Sequence, residues 1–532
     1  MPAKRWLMAE SSVDEITAGG SFGTSPVVVA VDQGTSSTKT LVLDVHGSIV
    51  GSLSVPLGQQ HPAAGWVEQD ANEILDGVRA GLGHARELFG ERIAAIGISN
   101  QRESALAWDP ATGRPVGPML GWQDRRTADR ARALADHSAR VRRITGLPLD
   151  PMFSALKFGW LLDEVDPDRS RSGAGEILLG TVDSWIVWSL TGEHRIEVGN
   201  ASRTQLLDIE TGGWSAELLD LFGIPAASLP RVAMSDEPTA AIDGLDVPIT
   251  AVLGDSHAAL YGHGARDAGA VKVTYGTGSS IMGLESPDAR ATASGLVRTI
   301  AWGTDGEIRR AFEGNILSTG ATLVWLSELL DMTPGDLVEL AAGSPDAAID
   351  LVPAFAGLGA PWWDESAVAV LSGFDLGTPR AALARAAVES IPLQIEDVLT
   401  SADGSGSRVD TILADGGPTS NDWLVQLQAD LSQRTVVRSD VAELSALGAA
   451  HLAGVRAGVW TAEAVAALPR ASTTFVPQLD ADAARDRRAR WLAAVGRARN
   501  QPALSTPVPS TRPALVTSQP ALLRASTNRR NT

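Results

Sequence analysis

The sequence predicts an α/β protein in which one domain design occurs twice, with a cleft between the copies. Three observations carry this. Two apolar runs joined by a small-residue turn form a hairpin at Val27–Asp44, VVVAVDQGTSSTKTLVLD. A second hairpin of the same design, AVKVTYGTGSSIM, lies at Ala270–Met282. Strands that end in polar or glycine turns, Arg92–Ser99 in the first half and Thr411–Gly417 in the second, alternate with helical stretches. A boundary near Gly262–Asp267 divides the chain into a first domain at 26–264 and a second at 265–499, with a leader at 1–25 and a tail at 500–532.

Taken in order, Leu43–Val50 with Gly47 continues the opening hairpin as an antiparallel meander. Asp70-Ala71-Asn72-Glu73 is a capping-box pattern, and the helix it opens has an apolar face of Ile74, Leu75, Val78, Leu82, Leu88 and Phe89. The buried strand Arg92–Ser99 delivers Asn100-Gln101-Arg102-Glu103 at its carboxyl end, where open α/β sheets place ligand-binding residues. A hairpin turn is expected at Trp108–Gly113, and a long charged helix from after Arg126 to about Arg143. Ile177–Leu190 reads as strand then helix. Pro248–Leu253 reads as a short strand running into Gly254-Asp255-Ser256 and a helix. Ala381–Leu399 has helical spacing, with a kink expected at Pro392. The Pro/Ser/Thr-rich tail carries arginine but no acid and reads as disordered.

A chain of 532 residues is long enough for two large domains. Its formal charge of −19 argues against nucleic acid or an anionic membrane as the main partner. With no cysteine, disulfides, cysteinyl zinc sites and thiol nucleophiles are excluded. No apolar run approaches the ~18 residues of a membrane span, and the N-terminus lacks the apolar core of a signal peptide. The expected location is the cytoplasm.

The first hairpin offers hydroxyls and unshadowed N–H groups at Gly34, Thr35, Ser36 and Ser37, with Asp32 and Lys39 beside them. Such a set suits a metal-bound polyphosphate: donors cradle the phosphate oxygens, Lys39 neutralises charge and Asp32 can hold a hydrated cation. An ordinary hairpin is the alternative. It is not a P-loop, which needs a glycine before the lysine, and Gly276-Thr277-Gly278 lacks the third glycine of a dinucleotide fingerprint. Both hairpins and the Gly416-Gly417 turn could enclose one nucleotide, although each alone could be a structural turn. Asp255, between a buried strand and a helix, is a candidate general base or else a helix N-cap. His257 could tune it or simply be a core histidine. Arg102-Glu103 could bind adjacent hydroxyls of a polyol or form a local ion pair, and Trp122 could pack a small carbon skeleton.

These motifs together resemble the FGGY family of carbohydrate kinases, within the actin/Hsp70/hexokinase ATPase superfamily, with the glycerol kinases as the nearest branch. The resemblance runs from about Val27 to Trp460. It rests on VAVDQGTSSTK, GWVEQD, AAIGISNQRES, GWQDRRTA, MFSALKFGWLLDE, NASRT, TYGTG, PAFAGLGAPWWD, ADGGPTSND and ALGAAHLAG. It implies two duplicated actin-like, ribonuclease H-like ATPase domains flanking a catalytic cleft. It also implies ATP-dependent phosphorylation of a small polyol or sugar, glycerol being the best single guess, with a homo-oligomer allowed. Residue by residue, it implies binding of ATP by Thr35, Ser36, Ser37, Lys39, Thr277, Gly320, Gly417 and Asn421, and of Mg2+ by Asp32. It gives the substrate Arg102, Glu103, Trp122 and Asp255, with Asp255 as catalytic base.

The chain departs from the glycerol kinase pattern at four positions. Met152 stands where an aromatic is usual, Ser256 replaces Gln, Ser280 replaces Phe, and Val324 replaces a Gln near the nucleotide. Three of these, Met152, Ser256 and Ser280, belong to the substrate shell, so a larger polyol or ketose such as erythritol, threitol, xylulose or ribulose is an alternative acceptor. A non-enzymatic ATPase switch on the same core is the alternative of another class.

Overall fold

The computed structural model, which describes residues 24–289, 295–344 and 349–500, contains two large sheets. The first contains β1 (Val27–Gln33), β2 (Ser37–Leu43), β3 (Ile49–Pro56), β4 (Ile93–Asn100) and β5 (Ile249–Gly254), in the order β5-β4-β1-β2-β3. The second contains β6 (Ala270–Tyr275), β7 (Ser279–Leu284), β8 (Val297–Thr304), β9 (Glu307–Ile316), β10 (Thr411–Asp415), β11 (Thr435–Ser439) and β12 (Ser472–Phe475). Its order is β8-β9-β7-β6-β10-β11-β12.

The duplication is visible in the pairing. In each sheet a hairpin (β1/β2, β6/β7) is antiparallel, and its first strand takes a parallel partner on the other side (β4, β10). That partner in turn runs parallel to a further strand (β5, β11). Parallel strands buried on both faces read as near-continuous apolar runs, as β1 and β4 do. Val27, Val28, Val29, Ala30 and Val31 are all buried, as are Ile96 and Ile98.

The helix α1 (Ala71–Phe89) covers the first sheet. Asp70 caps it by accepting from Asn72 N, but the reciprocal arm of the expected capping box is not made. Glu73 instead accepts from Gly58 N at 3.3 Å. Leu88, expected on the apolar face, is exposed, and Ala85 takes its place against the sheet. The expected long charged helix is broken into Ala128–Ala133 and Ser138–Thr145. The N–H of Leu134 is shared between the Arg130 and Ala131 carbonyls, and the chain tightens there into a 3₁₀ turn at Ala135–His137. Helix α2 (Ser154–Val165) follows, and α3 (Asp255–Gly262) leaves the end of β5. In the second half, α4 (Gly320–Leu329) starts beside the second hairpin, and α5 (Arg380–Gly404) runs through Pro392 as one helix.

The last long piece of the cleft wall is α6 (Leu444–Arg456). It comes late in the chain, yet it packs on the first sheet: Ala446, Ala450 and Ala453 share one core with Val28, Ala30, Ala95 and Leu253. Small residues permit this approach. A Cβ on Gly448 would lie 1.8 Å from the Ala258 carbonyl oxygen of α3, and one on Gly262 would lie 2.3 Å from the Leu444 oxygen. The late segment therefore ties the two halves together at the floor of the cleft. Among the described residues no helix is long and apolar enough to cross a membrane. The tail beyond Asn500, and all of the leader but its last two residues, lie outside the described residues.

Candidate active site

Asp255 is the first residue of α3, and Gly254 before it makes no side-chain cap. Asp255 Oδ1 accepts from Arg102 Nε at 3.1 Å and from Ser256 N at 2.6 Å, and no hydrogen bond to Oδ2 is found among the described residues. The side chain is 40% exposed, on the wall of a cavity of about 820 Å³. Ser256, Ser280 and Gly417 share that wall with Lys272, Asp415, Arg438 and Ser445, so residues expected for substrate and for nucleotide meet in one cavity. The Ser280 hydroxyl is buried without a hydrogen-bond partner.

Behind Asp255 lies a buried ionic chain. Arg102 passes over Gly254, where a Cβ would come 2.6 Å from Arg102 Cδ. Its guanidinium donates to Glu313 Oε1 at 2.9 Å, and Arg203 pairs with the same carboxylate at 2.7 Å. Arg203 Nε also donates to Glu103 Oε1 at 2.6 Å. Burial alone would push Glu313 up, but the two guanidiniums outweigh it and hold the carboxyl down at about 2. Burial would likewise lower Arg102, and the carboxylates of Glu313, Glu103 and Asp255 reverse that and raise it. His257 is fully buried near this cluster, and burial with Arg102 and Arg203 holds it well below the ordinary histidine range. It is a core histidine. Glu313 arrives from β9 in the second half, and the sequence reading missed it. Arg203 lies within the NASRT stretch.

The first hairpin sits close by. Asp32 ends the apolar part of β1 and accepts from Ser99 Oγ at 2.8 Å. Burial, then the Asp255 and Glu443 carboxylates, push it up to about 6 against the Ser99 bond and Lys39. Lys39 Nζ pairs with Glu443 Oε1 at 3.2 Å, just ahead of α6, so the cation links the first hairpin to the late segment packed on its sheet. Trp122 is partly exposed, and its indole N–H donates to Thr35 Oγ1 at 3.1 Å, which joins its loop to the turn of the first hairpin. Ser36 and Ser37 complete that turn: the Ser36 carbonyl accepts from Leu57 N and that of Ser37 from Gly34 N, both at 2.9 Å. A relay of buried amides supports it from below: Gln101 donates to Gln33 and Gln69, and Gln69 donates to the Thr35 carbonyl.

The remaining expected residues are placed as follows. Thr277 is exposed at the tip of the second hairpin, and the Gly276 and Thr277 carbonyls accept the N–H groups of Thr319, Gly320 and Ala321 at the start of α4. Asn421 caps the helix Asp422–Ser432 by accepting from Leu424 N at 3.0 Å. None of Thr277, Gly320 and Asn421 lines the main cavity. In the Gly416-Gly417 turn the conformational demand falls on Gly416, at φ 99 with a Cβ position 2.1 Å from the Tyr275 oxygen; Gly417 has open space. Met152 is off the cavity wall. It packs against Leu147, Phe153 and Val297, and its carbonyl accepts from Lys157 Nζ at 2.6 Å.

Comparison with known proteins matches residues 27–262 to the N-terminal domain of the FGGY family of carbohydrate kinases, and residues 271–457 to its C-terminal domain. An apulose kinase of Pectobacterium atrosepticum is 42% identical over 496 residues, covering 90% of this chain and 99% of that protein. A glycerol kinase of Aromatoleum aromaticum is 43% identical over 490 residues, covering 89% and 98%. Among solved structures, Plasmodium falciparum glycerol kinase with ADP superposes with a TM-score of 0.86 at 28% identity, covering 91% of this chain and 100% of that one.

Proposed function

The chain belongs to the FGGY family of carbohydrate kinases and is an ATP-dependent sugar or polyol kinase; from that premise we propose that it phosphorylates a terminal hydroxyl with Asp255 as general base. The observation that carries this is the carboxylate itself. Arg102 and Ser256 hold Oδ1, and Oδ2 is left to the cavity shared with the Gly416-Gly417 turn. In the proposed step the acceptor hydroxyl gives its proton to Asp255 as its oxygen bonds to the γ-phosphorus, and the bond from that phosphorus to the ADP oxygen breaks. Such transfer is governed by positioning and charge stabilisation. Lys39, Thr35, Ser36 and Ser37 would meet the phosphates, with Thr277, Gly320, Gly417 and Asn421 around the rest of the nucleotide.

The residues present fit Mg2+. Asp32 is crowded by the Asp255 and Glu443 carboxylates, which a cation would relieve. Mg2+ is ordinarily held by one or two carboxylates, water and substrate phosphates. Asp32 would hold it, and when bound it would offset charge on the β- and γ-phosphates.

Glycerol is the best single acceptor. A second reading, a larger polyol or ketose, is favoured by Ser280, whose buried hydroxyl has no partner beside Ser256 on the cavity wall. A hydroxyl in such a place favours an acceptor with a polar group to meet it. We place the reaction in the cytoplasm. Acceptor-dependent ADP release with glycerol, erythritol, threitol, xylulose and ribulose tests the proposal. One acceptor should raise the rate well above ATP alone; preference for glycerol over the other four removes the second reading, and equal rates with and without every acceptor remove both.

A further inference from the structure

Lys157 lies in the MFSALKFGWLLDE stretch on α2, and the chemistry above does not use it. Its side chain is completely buried, and its ammonium donates to three main-chain carbonyls: Glu103 at 2.9 Å, Gly121 at 2.7 Å and Met152 at 2.6 Å. An ammonium has three donors, and all three are used. The acceptors belong to three separate segments: the turn after β4, the loop that carries Trp122, and the residue before Phe153 at the start of α2. Each segment carries one of the side chains, Glu103, Trp122 and Met152, that the family resemblance gives to the acceptor shell.

Glu103 adds an independent observation. It is a non-glycine residue at φ 59, in the left-handed region, and such a conformation persists only where its surroundings over-determine it. Here Lys157 holds its carbonyl and Arg203 holds its carboxylate. A helix is a rigid carrier for such a frame. Ser154 Oγ donates to the Ser104 carbonyl, and Ala155 N donates to that of Thr204, so α2 is itself pinned beside the turn.

We propose that Lys157 is a positioning residue of the acceptor site, tying the backbones of Glu103, Gly121 and Met152 into one frame that sets where the acceptor hydroxyl lies relative to Asp255. The inference rests on the reading of Glu103, Trp122 and Met152 as the acceptor shell. It assigns Lys157 no contact with substrate. Loss of the ammonium lets three loops relax separately, and a misplacement of about 1 Å costs about 10²-fold.

The test uses the full chain and whichever of glycerol, erythritol, threitol, xylulose and ribulose gives the parent its highest kcat/KM. Lys157→Met should raise the acceptor KM by about 10- to 100-fold while the ATP KM stays within about twofold. Lys157→Gln, which retains two donors, should fall between Lys157→Met and the parent. Equal changes in both KM values, or no change in either, overturn the proposal. So does failure to recover either variant folded, which assigns the lysine to folding alone. Glu103→Gln, run in parallel, separates the two readings. If it leaves the acceptor KM unchanged, the acceptor shell is wrong and the inference falls with it. If it raises that KM and Lys157→Gln does not, only the inference falls.

Discussion

Replacing Glu313 by glutamine tests whether the buried ionic chain positions Asp255, the proposed general base. Glu313 receives Arg102 at 2.9 Å and Arg203 at 2.7 Å, and it is buried. Its carboxyl is held at about 2 against an ordinary 4.5. The folded-state value is depressed, so the stability it contributes is fully present above about pH 4.5 and is lost as pH falls towards 2. A gap of that size corresponds to about 3 kcal/mol, in line with the ~3–5 kcal/mol lost on removing one partner of a buried pair. Glu313→Gln keeps the shape and removes the charge, leaving two guanidiniums facing each other. At pH 7 its thermal midpoint should fall by about 5 °C. Between about pH 4.5 and 2 it should lose less further stability than the parent does. With Arg102 no longer anchored, Asp255 loses its orientation, and kcat should fall about 10²-fold. The assays are thermal denaturation across pH and acceptor-dependent ADP release. A variant whose midpoint stays within about 1 °C of the parent and whose kcat/KM stays within about twofold would refute the reasoning.

Two further outcomes follow from the same geometry. The Lys39–Glu443 pair is partly exposed, so Glu443→Gln should change stability by less than about 1 kcal/mol. Freed of that partner, Lys39 should lower the ATP KM by up to about fivefold, and an unchanged or higher value from initial rates would count against Lys39 as a phosphate contact. For Lys157, burial pulls the ammonium down to about 7, against the carboxylates of Glu103, Asp124 and Asp150 and alongside Arg125. As pH rises through that value one of its three donors is lost. The acceptor KM should therefore climb above pH 7 in the parent, and it should stay flat there in Lys157→Met.

Much of the architecture was legible because it is written in local patterns. The two hairpins, the strand running into Asp255 and the Asp-Gly-Gly turn each combine a β-branched run with small turn residues, and all form where expected. Local patterns also misled. The charged stretch after Arg126 lacks an apolar stripe strong enough to hold one axis, and Leu88 fits helical spacing while facing solvent. What was not legible is what depends on distant segments meeting. Glu313 sits in EIRRAFEGNI with nothing local to mark it, and its meaning comes from two arginines 211 and about 110 positions earlier. Lys157 was in view within a motif, but its partners are backbone carbonyls, which no side-chain pattern displays. The choice between base and helix cap for Asp255 likewise needed Arg102 in place.

The central claim is that Asp255 takes the acceptor proton in a cleft that binds ATP independently of it. Asp255→Asn measures this directly, through acceptor-dependent ADP release alongside the Kd for ADP. The account predicts a loss of turnover of about 10²- to 10⁴-fold, the ordinary contribution of a general base, with the Kd for ADP unchanged. Parent-like turnover by Asp255→Asn would contradict it.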